Sequence, residues 1–184
     1  MNYSNTSSLS GITGTYVPVI LGLGSNTKYN DMEPMDLLRS AIKSLGQKLT
    51  HLRYSSVYKT TAMYYENQPD FYNMAVFGFF SGSAIELLDF IQQIEAIHGR
   101  NRTNEIRNGP RPLDIDIELF GNEVSSSPRL LLPHPRLEER AFVLIPMLEI
   151  FPENAEVFNI GKDYYQNCLN NLPEQKVCRL SVSL

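Results

Sequence analysis

Apolar and polar positions along this chain switch between a period of two and a period near 3.6, and the switches mark its elements. From Val17 to Leu23 a short apolar run ends in Gly22-Leu23-Gly24-Ser25-Asn26, which reads as a buried strand emptying into a turn. After Pro34, a residue tolerated in a first helical turn, Leu37, Leu38, Ala41, Ile42, Leu45 and Leu49 follow at helical spacing. Leu52 to Thr60 is rich in β-branched, Tyr and Ser residues and Phe71 to Phe80 is dense in aromatics, so both read as strands, with Thr61 to Asp70 as the loop between them. Ser83 and Glu86 stand at the spacing of a capping box, and Leu87, Leu88, Ile91, Ile94 and Ile97 supply the buried stripe of a helix that Gly99 stops. A polar loop from Arg100 to Pro112 then leads into Leu113 to Phe120, which alternates as a strand.

The resulting order, β-α-β-β-α-β, predicts an α+β fold with a ferredoxin-like core, a split βαβ sheet with helices on one face. Leu137 to Glu149 and weaker patterns beyond it add C-terminal helices. At 184 residues, 42% hydrophobic and 20% charged, the chain suits one soluble domain over 17–184, preceded by a flexible extension over 1–16. A net charge of −4 and a pI near 5.4 lack the surplus of positive charge that duplex nucleic acid requires, so a small partner is expected. Cys168 and Cys178, with no histidine nearby, suggest free thiols in a reducing compartment rather than a disulfide framework or a zinc site. The longest apolar stretch, Ala141 to Ile150, contains Pro146 and is far short of the ~20 residues that span a bilayer. The expected location is the cytoplasm.

Candidate chemistry concentrates in Leu113-Asp114-Ile115-Asp116-Ile117-Glu118. A period of two puts the three carboxylates on one face of a strand and the aliphatic residues on the other. Same-face neighbours lie roughly 6.5–7 Å apart along a strand, close enough for both to reach one or two hard cations such as magnesium. On pattern alone, an edge strand with one solvated face accounts for the segment equally well. The arginines change the picture. Seven of the ten lie between Arg100 and Arg140, whereas no lysine occurs between Lys59 and Lys162. The guanidinium fork favours placed recognition of phosphate over diffuse attraction. Acids for a metal and arginines for the oxygens it leaves uncovered are what a magnesium triphosphate requires, although surface ion pairs would produce the same composition.

Other positions carry weaker signals. The Gly22 to Asn26 turn lacks the full glycine pattern and the lysine of a P-loop, so Gly24 either permits close approach to a ligand or simply serves a turn. Asn73 interrupts an apolar strand and needs partners for its amide, from a flat heterocycle or from neighbouring backbone. Phe71, two residues earlier, projects to the same side, where it either stacks on such a ring or joins the core. Gln92 and Glu95 share a helical face, where Glu95 is either a functional carboxylate or a rim residue, and His134, confined between Pro133 and Pro135, reads as a donor to phosphate in preference to a core histidine.

Taken together, Leu23-Gly24-Ser25-Asn26, Gln68-Pro69-Asp70-Phe71-Tyr72-Asn73, Gly109-Pro110-Arg111-Pro112-Leu113-Asp114-Ile115-Asp116, and Leu132-Pro133-His134-Pro135 followed by Arg140-Ala141-Phe142 resemble the hydroxymethyldihydropterin pyrophosphokinase family. The resemblance runs from Val17 to about Ile150. It implies a ferredoxin-like fold, ATP and 6-hydroxymethyl-7,8-dihydropterin as substrates, and two magnesium ions held by Asp114 and Asp116. It further implies that Gln92, Glu95, Arg100, Arg111, Arg129, His134 and Arg140 contact ATP, with Arg100 and Arg111 joining Asp114 and Asp116 in catalysis. Asn73 is implied to hydrogen-bond the pterin and Phe142 to stack on it, with Phe71, Gly24, Thr60, Thr61 and Met63 completing that pocket. Association with other folate enzymes is compatible with such a chain.

The sequence departs from the family pattern in places. Thr61 to Tyr65 lacks the proline and glycine usual there, Arg100 to Arg111 is one residue longer than common versions, and Asn108 stands where an aromatic is frequent. These bear on closure of the arginine loop, Arg100 to Pro112, as a lid more than on the chemistry. Three other classes are to be weighed: a silent nucleotide-binding regulator, a metal-dependent phosphohydrolase, and a ferredoxin-like nucleic-acid module that the acidic balance disfavours.

Overall fold

The computed structural model describes residues 16–61, 67–101, 109–153 and 157–182. Its central element is β4 (Phe71–Ser81), whose alternating side chains are buried from Asn73 to Gly78. On one side β4 pairs antiparallel with β1 (Tyr16–Ser25) along the full length of that strand, from Tyr16↔Ser81 to Ser25↔Tyr72. Beyond β1 lies β5 (Asp114–Phe120), also antiparallel, with Gly22 opposite Asp116 and Gly24 opposite Asp114. The flexible extension expected over 1–16 falls outside the described residues except for Tyr16, which opens β1.

On its other side β4 meets two strands where one was expected. β2 (Leu49–Tyr54) pairs with Phe80 to Val76, and β3 (Tyr58–Thr60) pairs with Asn73 to Phe71. The break has a local cause. Ser55 donates its N–H to the Ala75 carbonyl at 2.9 Å, while its hydroxyl accepts the Ala75 N–H at 2.9 Å, so a side chain replaces a ladder carbonyl. His51, at φ +50°, bulges the strand further. Leu49 keeps helical spacing with Leu45 but is not helical, because α1 (Pro34–Leu45) ends before Gly46 and Leu49 opens β2.

α1 and α2 (Ala84–Ile97) cover one face of the sheet. Leu38, Ala41 and Leu45 of α1 and Leu87, Ile91 and Ile94 of α2 pack with Val19, Leu21, Leu23, Met74, Val76, Ile115 and Ile117. The expected capping box starts α2, and Gly99, at φ +87°, follows its end. With strand order β5-β1-β4-β2/β3, this is the ferredoxin-like core. The opposite face carries the C-terminal helices, α3 (Ala141–Ile150) and α4 (Lys162–Asn171). There Ile20, Ala75, Phe77 and Leu119 meet Val143, Leu144, Met147 and Leu148 of α3 and Tyr165 of α4. α3 is apolar on nearly every side, as suits a helix covered by both sheet and helix.

Two further pairings were not foreseen. β6 (Ser125–Ser127) and β7 (Leu130–Leu132) form a small hairpin after β5, and β8 (Val177–Arg179) extends the main sheet by pairing with β3. No helix among the described residues is long and apolar enough to cross a membrane. α3 leaves part of its face of the sheet uncovered, over Gly22, Gly24, Phe71 and Asn73, and a cavity of about 290 Å³ opens there.

The cap of α2 is a measurable contribution. Ser83→Ala removes the hydroxyl that accepts the Glu86 N–H and should cost about 1 kcal/mol in urea unfolding with an unchanged slope. A loss within error would show that the box contributes nothing.

Candidate active site

The cavity is framed by the periodicity of β5. Leu113, Ile115 and Ile117 enter the core, which turns Asp114 and Asp116 to the cavity, and Glu118, only 1% exposed, lies at its base. Across the ladder, Gly22 and Gly24 of β1 have no side chains to fill this space. A Cβ at Gly24 would come within 3.3 Å of Asn73 Oδ1, and one at Gly22 within 2.8 Å of Glu118 Oε1.

Two arginines converge on one carboxylate. Arg100 bridges Glu95 and Asp114, and Arg111 donates to Asp114 Oδ2 at 2.8 Å. Glu95 Oε1 also accepts the Ile115 N–H at 2.9 Å, so this buried side chain ties the last turn of α2 to the start of β5 while holding Arg100. Asp116 is half-buried and makes no ion pair or hydrogen bond among the described residues. Burial, reinforced by the neighbouring Asp114 charge, pushes its carboxyl up to about 7. Glu118 is driven well above the ordinary carboxyl range by burial first and Asp116 second, and its Oε2 has no hydrogen-bond partner.

The opposite wall comes from the residues leading into α3. Arg140 is its N-cap, its guanidinium lies 5.5 Å from the Phe142 ring centre, and its Nε is buried without a partner. His134 donates its backbone N–H to the Glu118 carbonyl at 3.0 Å, and its Nδ1 accepts the Arg136 N–H at 3.2 Å. That bond assigns the ring proton to Nε2. Burial, aided by the Arg140 charge, lowers the imidazole to about 4, so at neutral pH it is an uncharged donor.

The aromatic end of the cavity holds Phe71, Asn73, Thr60, Thr61 and Phe142. Asn73 donates from Nδ2 to Thr60 Oγ1 at 2.8 Å and keeps its Oδ1 beside Gly24. Behind it, Asn26 joins three segments. Its N–H donates to the Arg111 carbonyl at 3.2 Å and its Oδ1 accepts the Arg111 N–H at 2.8 Å. Its Nδ2 donates to Gln68 Oε1 at 3.0 Å and to the Pro69 carbonyl at 3.1 Å.

Most of the expected site residues therefore meet in one cavity: Gly24, Thr60, Thr61, Phe71, Asn73, Arg100, Arg111, Asp114, Asp116, His134, Arg140 and Phe142. Glu95 and Gln92 border an adjoining hollow with Tyr29 and Gly99. Arg129 stands apart, ion-paired with Asp89 on the surface of α2. Met63, and most of the arginine loop with Arg102, Arg107 and Asn108, lie outside the described residues. Asn26 and Glu118 were given no role from sequence, although Asn26 belongs to a segment carrying the resemblance and Glu118 continues the carboxylate alternation.

No group of three metal-ligating side chains occurs among the described residues. Asp114 and Asp116 still fit a hard cation. Burial, with the Asp114 charge second, disfavours an uncompensated Asp116 charge, each carboxylate oxygen has a second lone pair, and magnesium commonly takes one or two carboxylates and completes its shell with phosphate oxygens and water.

Fold and cavity together define a ferredoxin-like domain with a mixed carboxylate–arginine cleft at one end of its sheet. The family model described as 7,8-dihydro-6-hydroxymethylpterin-pyrophosphokinase (HPPK) matches residues 20–152, and the chain belongs to that family. It is 45% identical over 132 residues to the 2-amino-4-hydroxy-6-hydroxymethyldihydropteridine pyrophosphokinase of Bacillus subtilis, covering 71% of this chain and 75% of that protein. The Haemophilus influenzae protein of the same name is 38% identical over 136 residues, covering 73% of this chain and 81% of that protein. The folate synthesis bifunctional protein of Arabidopsis thaliana is 37% identical over 138 residues, covering 75% of this chain but 28% of the larger protein. A solved structure, wild-type Plasmodium falciparum HPPK-DHPS, shares the fold with a TM-score of 0.58 at 16% identity, covering 85% of this chain and 45% of that one.

The raised Asp116 carboxyl has a signed consequence. Between its ordinary value of 3.8 and about 7 the unfolded chain releases this proton and the folded chain keeps it, so stability falls as pH rises through that window. Asp116→Asn should therefore melt above the wild type at pH well above 7 in metal-free buffer, with the gap closing as pH falls toward 3.8. A gap independent of pH would refute the assignment.

Proposed function

We propose that this cleft binds ATP along Asp114, Asp116, Arg100, Arg111, Arg140 and His134, and a pterin alcohol between Phe71 and Phe142. The activity is ATP-dependent pyrophosphoryl transfer to 6-hydroxymethyl-7,8-dihydropterin in folate biosynthesis, the reaction of the family to which the chain belongs. The observation that carries this assignment to the cavity is the meeting of two different recognition surfaces in one volume. One wall presents guanidiniums and carboxylates; the other presents aromatic rings and an amide.

Each wall matches one substrate chemically. Arg111, Arg100 and Arg140 supply forks for phosphate oxygens, and neutral His134 donates from Nε2 without adding charge. Asn73 Oδ1 accepts from the donor edge of a flat heterocycle, whose faces Phe71 and Phe142 cover. The hydroxymethyl oxygen then attacks the β-phosphorus in line, AMP leaves, and the diphosphate moves as one unit. Asp116, which lines the cavity and makes no side-chain ion pair or hydrogen bond among the described residues, is the group placed to receive the hydroxyl proton. Asp114 and Asp116 would hold the metal, expected as two magnesium ions, which would supply neutralisation of the phosphate charge that the arginines leave uncovered. Catalysis is then mainly positioning and charge neutralisation, with no covalent enzyme intermediate.

Gln92 and Arg129 would join the ATP site only through the part of the nucleotide that reaches beyond the cavity. The two cysteines are free thiols, which supports placing the enzyme in a reducing compartment, the cytoplasm. The bifunctional relatives support association with other folate enzymes.

Nucleotide analysis after incubation with MgATP tests the reading: AMP should form only with the pterin, in step with pterin diphosphate. Pterin-independent ADP and phosphate would instead mark a phosphohydrolase, and ATP binding without AMP a silent regulator. Chelation should abolish turnover. Asp116→Ala should lower kcat by roughly 10²–10³ or more while preserving the circular dichroism spectrum, and an active, folded Asp116→Ala protein would overturn the metal assignment.

A further inference from the structure

At the far end of α3 from the cavity, a polar cluster joins elements that carry opposite walls of the pterin slot. Glu149 accepts the Ser56 N–H at 3.0 Å and the Tyr58 hydroxyl at 2.8 Å on Oε2. Its Oε1 accepts the Ser56 hydroxyl at 2.8 Å. Arg179 of β8 closes the cluster, donating to Ser56 Oγ from Nε at 2.9 Å and lying 3.4 Å from Glu149 Oε1. The Glu149 carboxylate is held below its ordinary range by these hydrogen bonds despite partial burial, and the Tyr58 hydroxyl is pushed up to about 12.

Two periodicities connect this cluster to the slot. Phe142 and Glu149 are seven residues apart in α3, about two turns and roughly 10 Å along one helical face. Tyr58 and Thr60 are two apart in β3 and share a face of that strand. The helix face that presents Phe142 to the cavity thus presents Glu149 to β3. The strand face that presents Tyr58 to Glu149 presents Thr60 to the cavity, where it receives the Asn73 amide at 2.8 Å. β3 is only three residues long, so its placement depends on lateral support. β8 supplies more, with Thr60 paired to Val177 and Tyr58 to Arg179, and with the Leu180 N–H donating to the Val57 carbonyl at 2.9 Å.

We propose that Glu149, bridging α3 to β3 through Tyr58 and Ser56, is a positioning residue that sets the separation of Phe142 from Thr60 and Asn73, and hence the fit of the pterin ring. The inference rests on the slot being the pterin site. Glu149 itself does not line the cavity; Arg100, Arg111 and Asp114 are anchored separately through Glu95 and Asn26, and Arg140, the N-cap of α3, is the ATP-facing group that shares its helix, so the pterin should respond more strongly than ATP.

The test is steady-state kinetics with each substrate varied in turn, on Glu149→Ala, Glu149→Gln and Tyr58→Phe. Glu149→Ala should raise KM for the pterin about tenfold and leave KM for ATP within about twofold. Glu149→Gln, which can still accept from Tyr58, should recover part of that loss. Tyr58→Phe keeps the buried ring and loses only the hydroxyl, so it should show a smaller rise in the same parameter even if Glu149→Ala fails to fold. Equal rises in both KM values, a fall in kcat alone, or unchanged kinetics in Tyr58→Phe and Glu149→Gln would overturn the proposal. Wild-type protein that forms no AMP with the pterin would overturn the underlying reading of the slot and the proposal with it.

Discussion

Between α2 and β5 a single buried carboxylate has to satisfy the core and the cleft at once. Glu95 accepts a backbone N–H of β5 and pairs with Arg100, which reaches on to Asp114. A buried charge with a partner removed is strongly destabilising, so this chain of three charges constrains its members together. It also explains how an arginine directly after a helix stop can be held in place. Gly99 turns the backbone at positive φ, the Arg100 N–H returns to the Glu95 carbonyl at 2.9 Å, and the side chain returns to the Glu95 carboxylate.

Around that bracket the cleft divides its charges unevenly. Asp114 is claimed by two arginines, whereas Asp116 and Glu118 are held close together with little compensation, and Arg140 keeps a buried Nε without a partner. Such unsettled polar groups cost folding free energy unless a ligand completes them. A polyphosphate with its cation would do so on both counts, giving the carboxylates positive charge and the guanidiniums acceptors. The aromatic end needs no such completion, because Asn73 already has Thr60 as partner and only its oxygen stays open.

Much of this was legible in one dimension because it follows short-range rules. The alternation of Asp114 to Ile117, the Ser83 capping box and the stripe of α2 each depend on residues within a turn or two of one another; the first two formed as expected, and the stripe formed at Leu87, Ile91 and Ile94 but not at its end, where Ile97 is 74% exposed and Glu95 and His98 are buried instead. The failures have a common physical origin in contacts distant along the chain. Leu52 to Thr60 reads as one strand, but the Ser55 hydroxyl replaces a ladder carbonyl only because Ala75 lies opposite. Glu95 could equally have been a rim residue, since its burial is decided by β5, twenty positions later. Arg129 differs in no local respect from the arginines of the cleft, yet Asp89 draws it to the surface. β8 is three residues long, too short for any period to show, and its pairing with β3 places the C-terminal region beside the site.

The close approach of β1 to Glu118 has an implication for how this cleft can vary. A side chain at position 22 would press on the Glu118 carboxylate and force it to shift, while a shorter residue at 118 would relieve the contact and leave a void in the cavity floor near His134 and Arg140. Growth at 22 therefore has to be met by a shift of the Glu118 carboxylate or by truncation at 118, so the two positions constrain each other. The two residues, nearly a hundred positions apart, would tend to vary together.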